Sequence, residues 1–413
     1  MFYINDRYVT KENIDQAFTL WRKDSVLRNV AQLKIAVCLE SVEEWLSFCL
    51  YVRSNDGMVL PLHSSLPRGG AIELASRLLV LWELTSRPLS DGEIENKSRE
   101  IEGGLLQFSS GTTGVPKQIK RTWSSIKKEV KAYNKLIEAD VKQSRKTIIA
   151  CPVTHSYGLI SGFLSTVSRK EEPIILQHSN PKTMIQVLKK YPNHLLYASP
   201  PLLYTLARFL SDGENLDHVM TSGTILDERS YTTILSKSKR VLQQYGCSEV
   251  GCISINTNVK DRRNVGMPLS HVNVESGTIE TPASIIVRLE NGETETKDIG
   301  YIQEGNLFFI SREDDMINMA GLNVYPYDVE EVMLKHPFIQ DAVVFKKPHP
   351  IAGERVHGAF VTTGESITPQ ELREWMSQYL ASHQMPVEMK QINQIEREAN
   401  GKLNRRKIRE MIG

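Results

Sequence analysis

From the N-terminus to about Asn258, short apolar runs of strand length alternate with longer amphipathic stretches, and this alternation leaves a chain few ways to bury itself. Asn13 to Arg22 and Val42 to Tyr51 read as helices, with Leu33 to Leu39 between them as a buried strand. The pattern resumes past Leu105. Lys146 to Cys151 and Pro173 to Gln177 read as strands, and Lys182 to Tyr191 and Pro201 to Leu210 as helices. Strands separated by helices pair in parallel beneath helical cover, so the expected class is α/β with a large, mostly parallel sheet.

After Asn258 the texture shortens. Ser284 to Leu289, Gly300 to Gln303 and Asn306 to Ser311 read as strands separated by the turn signals Glu290-Asn291-Gly292 and Glu304-Gly305, which predicts a distorted β region. Beyond Arg312 a compact α+β pattern is expected: helix Tyr327 to Lys335, strands Ile339 to Lys346 and Val356 to Thr362, and a helix from Pro369 to Ser382 capped by Thr368. The charged stretch Arg312-Glu313-Asp314-Asp315 separates the two textures, so the predicted domains are 1–311 and 312–413.

Composition narrows the function. The 413 residues are 40% hydrophobic and 24% charged, which excludes a disordered chain and a small stapled scaffold. The 50 Lys and Arg against 49 Asp and Glu leave no global field to hold nucleic acid or an anionic membrane, so any anion must be bound locally. The five cysteines, Cys38, Cys49, Cys151, Cys247 and Cys252, are scattered and lack paired metal-ligand spacing, which argues against a disulfide framework and a structural zinc site and for a reducing cytosol. The charged start MFYINDRYVTKENIDQAF is not a signal peptide, and no segment stays apolar for the ~18 residues of a membrane span. A cytoplasmic enzyme with no membrane partner is expected.

The most informative segment is Phe108-Ser109-Ser110-Gly111-Thr112-Thr113-Gly114-Val115-Pro116-Lys117, directly after the apolar run Gly104 to Phe108. Its glycines permit close backbone approach, its hydroxyls and amides donate to phosphate oxygens, and its lysine adds a charge-assisted contact. The P-loop NTPase reading fails on spacing, because Lys117 follows Pro116 and precedes Gln118, where that motif needs Gly-Lys and then a hydroxyl for Mg²⁺.

With this loop, four more segments in order, Tyr245-Gly246-Cys247-Ser248-Glu249, Asp298-Ile299-Gly300-Tyr301, Arg312 to Ile317 with Gly321 to Pro326, and Asn400-Gly401-Lys402-Leu403, make the chain similar to the ANL superfamily of adenylate-forming enzymes. The resemblance implies the fold of that family, a large adenylating domain and a small mobile lid, with ATP and Mg²⁺ as cosubstrate and ion. It implies that Ser109, Ser110, Gly111, Thr112, Thr113 and Gly114 hold the phosphates with Lys117 as a mobile cation. Tyr245 would stack on adenine, with Ser222, Gly223, Gly246 and Ser248 beside the nucleotide, and Glu249 would hold Mg²⁺. Asp298 would accept both ribose hydroxyls, and Arg312 would reach the sugar or the phosphates. Asp314 would be the hinge, Gly321 and Asn323 would line a pantetheine tunnel, and Lys402 would be the catalytic cation of the first half-reaction. The chain departs from the family where Lys297 precedes Asp298 and Ser311 precedes Arg312.

Segments matching the family's acyl pocket are Pro152 to Gly158, Tyr197 to Pro201, Met220 to Thr224 and Gly246 to Ser254. His155 would sit near the reacting carboxylate, and Tyr157, Tyr197, Ser222, Gly246 and Cys252 would line the pocket. These segments hold no Lys or Arg for a second carboxylate, and their hydroxyls suit a ring bearing hydroxyls. The short N-terminal part is similar to the branch of the family that loads aryl acids onto carrier proteins, which implies 3,4-dihydroxybenzoate as the acid, the phosphopantetheine thiol of an aryl carrier protein as the acceptor, and assembly of a siderophore such as petrobactin. An acyl- or aryl-CoA synthetase and a non-catalytic adenylate-binding module are the competing readings. Lys346, Lys347 and Arg355 are candidates either for the 3′-phosphate of CoA or for an acidic carrier.

Overall fold

A computed structural model describes residues 1–75, 78–82, 84, 102–108, 118–140, 145–177, 180–224, 226–290, 292–319, 322–349, 353–364, 367–397, 403 and 405–412. Its centre is a 13-stranded sheet. The parallel heart of that sheet comprises Lys146–Ile149, Ile174–Ile175, His194–Tyr197, Leu216–Thr221 and Ser238–Cys247. His194–Tyr197 and Leu216–Thr221 are buried at every position, which is why they read as continuous apolar runs rather than alternating ones.

Helices fill the connections, as parallel pairing requires. Pro181–Lys190 illustrates the local logic: Asn180 accepts the N–H of Lys182 at the N-cap, Pro181 occupies the first turn, Lys189 and Lys190 complement the negative end, and Met184, Ile185, Val187 and Leu188 are buried.

The N-terminal segments build a second sheet from Leu79–Leu81, Lys34–Val37, Met58–Pro61 and Gly104–Phe108, all parallel, with Gln118–Thr122 antiparallel at one edge. Phe108 and Gln118 are partners in that last pairing.

The β-rich segment after Asn258 extends the large sheet instead of forming a layer of its own. Gly251–Asn256 folds back antiparallel on Ser238–Cys247, and Asn264–Pro268 pairs with Gly251–Asn256 and with Asn306–Arg312. Once the direction reverses, hairpins suffice and no helix is needed. At Glu304 and Gly305 both φ angles are positive, 50° and 76°, the two-residue turn that the Glu-Gly signal predicts.

The large sheet ends at Arg312, and a separate five-stranded sheet begins at Ile317. It packs its own core, including Val324, Val329, Met333, Val344 and Phe360. Ion pairs tie this part to the rest: Arg262 pairs with Glu331, and Arg263 Nη2 lies 2.5 Å from Asp328 and 3.6 Å from Glu331.

One predicted element is corrected. The helix expected over Pro369 to Ser382 ends at Met376. Thr368 and Glu371 form the capping box that starts it, but past Met376 the apolar face lapses, Tyr379 is 53% exposed, and Leu380 N–H closes a turn on the Met376 carbonyl at 3.0 Å. The chain must turn there to lay Glu388–Gln391 parallel to Gly353–Thr362. Among the described residues, no helix is long and apolar enough to cross a membrane.

Candidate active site

The parallel strands His194–Tyr197, Leu216–Thr221 and Ser238–Cys247 present their C-terminal ends on one side, where Ala198, Ser222 and Gly246 follow or end them; ligands of open α/β sheets bind at such ends. The neighbouring strand Lys146–Ile149 leads into a turn and then into Tyr157–Leu164, a wide, π-type helix buried from Gly158 onward. Tyr157 donates its hydroxyl to the Met220 carbonyl at 2.5 Å, and its ring lies 5.8 Å from that of Tyr197. Tyr157, Tyr197 and Cys252 therefore meet in one cluster.

A chain of polar groups runs through that cluster. The Tyr197 and Tyr133 hydroxyls share a hydrogen bond of 3.0 Å, Tyr133 donates to Gln244 Oε1 at 3.2 Å, and Gln244 Nε2 donates to Ser161 Oγ at 3.2 Å. Burial pushes the Tyr133 and Tyr157 phenols well above the usual range and Tyr197 up to about 12, so all three are neutral hydrogen-bonding groups at neutral pH. His155 is exposed ahead of the wide helix, and Ser156 Oγ donates to Gln107 Oε1 at 2.6 Å, joining this turn to the strand that enters the 109–117 connection.

A second cluster gathers the predicted nucleotide residues. Tyr245 donates its hydroxyl to Asp298 Oδ2 at 2.7 Å, and Arg312 Nε lies 3.0 Å from Asp298 Oδ1. Asp298 and Arg312 are direct cross-strand partners, so their side chains share a face of the hairpin. Burial, and next the Asp298 carboxylate, hold the Tyr245 phenol well above its ordinary range. Gly246 sits at a register shift where a Cβ would strike the Gly251 carbonyl, so only glycine lets the strands close behind Tyr245.

Ser248 is half-buried and Glu249 exposed on the turn after that strand; Ser222 is half-buried, and Gly223 adopts φ 99° in the open. Among the described residues, no group of three or more His, Cys, Asp or Glu could hold a metal by itself. Asp314 is exposed in the turn between the two sheets, and Asn323 is exposed opposite Asn318. Ser109, Ser110, Gly111, Thr112, Thr113, Gly114, Lys117, Gly321 and Lys402 lie outside the described residues.

Sequence reasoning missed Tyr133, Ser161, Gln244, Arg121, Glu129 and Arg169. Ile126, Val130, Tyr133 and Ile137 mark the apolar face of helix Trp123–Asp140, and Glu129 falls on that face, a misplaced charge that could have been noticed. No cation stands in the predicted pocket segments, yet Arg169 acts electrostatically on Tyr197 from outside them. Its guanidinium is committed to Asn134 Oδ1 at 2.7 Å, Ser165 Oγ at 2.8 Å and Glu171 Oε2 at 3.0 Å.

Residues 79–277 match the family described as AMP-binding enzyme, and residues 328–402 match the AMP-binding enzyme C-terminal domain. A 3,4-dihydroxybenzoate-aryl-carrier protein ligase of Bacillus anthracis is 34% identical over 409 residues, covering 98% of this chain and 98% of that protein. A 2-succinylbenzoate-CoA ligase of Bacillus velezensis is 24% identical over 362 residues, 80% of this chain and 73% of that one. Among solved structures, the o-succinylbenzoate CoA synthetase of Bacillus subtilis, in complex with its acyl-adenylate intermediate, superposes with a TM-score of 0.83 at 18% identity, covering 98% of this chain and 94% of its own. ATP-bound MatB of Rhodopseudomonas palustris superposes at 0.80 and 19% identity, over 96% and 92%. At these identities the likeness is one of fold, and it is the fold expected from the sequence.

Proposed function

Since this chain belongs to the AMP-binding, adenylate-forming enzymes, we propose that it activates a hydroxylated aryl acid, 3,4-dihydroxybenzoate, and passes it to the phosphopantetheine thiol of an aryl carrier protein. A carboxylate is a poor acyl donor because its leaving group would be oxide. Attack of a carboxylate oxygen on the α-phosphorus of ATP forms the acyl-AMP and breaks the bond to pyrophosphate. A thiol then attacks the acyl carbon and AMP leaves.

The chain's contribution is position and charge. We assign the phosphates to Ser109 through Gly114 with Lys117, the adenine and ribose to Tyr245 and Asp298 with Arg312, and the approach of the two anions to Lys402 and His155. Mg²⁺, bound with the triphosphate and held by Glu249, would neutralise charge on its oxygens. Residues 1–311 would form the adenylating domain and 312–413 the lid, turning about Asp314 so that Lys402 leaves and the thiol enters past Gly321 and Asn323.

The observation that carries the acid is the chain of neutral hydroxyl and amide groups Tyr197, Tyr133, Gln244 and Ser161 beneath the strand ends. These groups bond to one another, and a polar wall of this kind suits ring hydroxyls better than an aliphatic tail. The full-length likeness to a dihydroxybenzoate ligase supports the same acid and the carrier. Two of the cations considered for a CoA phosphate or an acidic carrier are already paired, Lys346 with Glu354 at 3.0 Å and Lys347 with Glu388 at 3.9 Å, so they favour neither acceptor.

Pyrophosphate exchange across a panel of benzoates and fatty acids tests the acid, and thioester capture with holo carrier protein or CoA tests the acceptor. Exchange should be strongest with dihydroxybenzoates, and Lys402→Ala should lose exchange while still transferring a supplied adenylate. Preference for fatty acids, or CoA as the better acceptor, would replace this reading with that of a CoA ligase.

A further inference from the structure

Behind both clusters lies a buried ion pair that neither uses directly. Arg121 Nη2 stands 2.5 Å from Glu129 Oε2, with side chains 3% and 2% exposed. Arg121 belongs to Gln118–Thr122, the strand that leaves the 109–117 connection. Glu129 belongs to helix Trp123–Asp140, and its other oxygen accepts the N–H of Cys252 at 2.8 Å. Cys252 lies on the strand Gly251–Asn256 and packs in the cluster with Tyr133 and Tyr197. One carboxylate thus bridges the strand Gln118–Thr122 to the strand Gly251–Asn256.

The backbone makes room for this bridge. Gly251 adopts φ 92°, and a Cβ there would stand inside contact distance of both the Arg121 guanidinium and the Glu129 carboxylate. Stability alone does not account for the arrangement, since a buried ion pair replaced by apolar side chains of similar volume is often neutral or stabilising.

We propose that Arg121, Glu129 and the Cys252 amide form a strut that sets the distance between the triphosphate on the 109–117 connection and the acid carboxylate in the pocket, which makes Glu129 a positioning residue for adenylation. The inference rests on the adenylation reading above. In-line attack needs the reacting atoms about 3–3.5 Å apart, and a displacement of about 1 Å costs about 100-fold in rate without dissociating either substrate. The strut therefore acts on kcat and not on KM.

Two variants test it in pyrophosphate exchange. The double variant Arg121→Met with Glu129→Leu removes both charges at similar volume and should fold, with a thermal midpoint lowered only by the loss of the acceptor of the Cys252 N–H. Its kcat should fall about 100-fold while KM for ATP and for the acid stay within about threefold. Glu129→Asp keeps the charge on a side chain one methylene shorter, and it should show the same split even if the double variant does not fold. A folded variant with unchanged kcat, or a loss that appears wholly in KM, would overturn the strut. The parent enzyme in the same assay separates the two readings: an inactive parent removes adenylation and the strut together, whereas an active parent with indifferent variants removes the strut alone.

Discussion

Tyr245, Asp298 and Arg312 are legible in the sequence as parts of three motifs, but nothing in the sequence says that they touch. Tyr245 and Asp298 stand 53 positions apart, and their 2.7 Å hydrogen bond exists because separate strands of the large sheet bring them together. The same pairing commits Tyr245 to a role beyond its ring, since it donates to the carboxylate assigned to the ribose. Asp298→Asn keeps the shape and removes the charge that strengthens hydrogen bonds from hydroxyls. Such bonds contribute about 1.5–3 kcal/mol, so KM for ATP should rise about 10- to 100-fold while KM for the acid stays unchanged. A KM for ATP within twofold of the parent would take Asp298 out of the nucleotide site.

At the scale of elements, periodicity located most helices and strands, and it failed where a tertiary partner decided the end. Thr368 starts its helix as expected, but the return of Glu388–Gln391 to the sheet edge ends it at Met376. The terminal helix Arg405–Ile412 is held by a contact that periodicity does not encode. Arg405 is buried, pairs with Glu330, donates to the Val344 carbonyl at 3.0 Å, stacks 4.8 Å from the centre of the Tyr327 ring, and lies 3.4 Å from Asp315 beside the proposed hinge. Burial raises the Glu330 carboxyl, and Arg405 is what opposes that shift. Arg405→Met should therefore leave a buried carboxylate unpaired and lower stability by about 3–5 kcal/mol, read from denaturant midpoints. A loss under about 1 kcal/mol would place the pair among ordinary surface bridges.

For the whole molecule, burial of phenols sets the alkaline limit. Tyr133, Tyr157 and Tyr245 are held well above the ordinary value, Tyr197 is raised to about 12, and Tyr327 is raised by the same cause. The folded state binds these protons more tightly than the unfolded state, so their stabilisation is complete below about pH 10 and is lost as pH rises through the folded values. The unfolding midpoint should fall between about pH 10 and about pH 12, with tyrosinate absorbance appearing together with unfolding. Gradual tyrosinate formation in a protein that stays folded would contradict this. His194 works with the opposite sign: burial lowers its pKa, its ring accepts the Asp217 N–H at 3.1 Å, and that stabilisation is lost as pH falls through the folded value.

Local patterning determined the class of the fold and the order of its elements, because strand runs, helix caps and hairpin turns act over neighbouring residues. Tertiary structure alone decided that the late strands lengthen the main sheet, that Tyr197, Tyr133, Gln244 and Ser161 join into one polar chain, and that Glu129 spans from Arg121 to Cys252. Each of these depends on strand register and on a charge made tolerable by a distant partner, and a linear pattern carries neither.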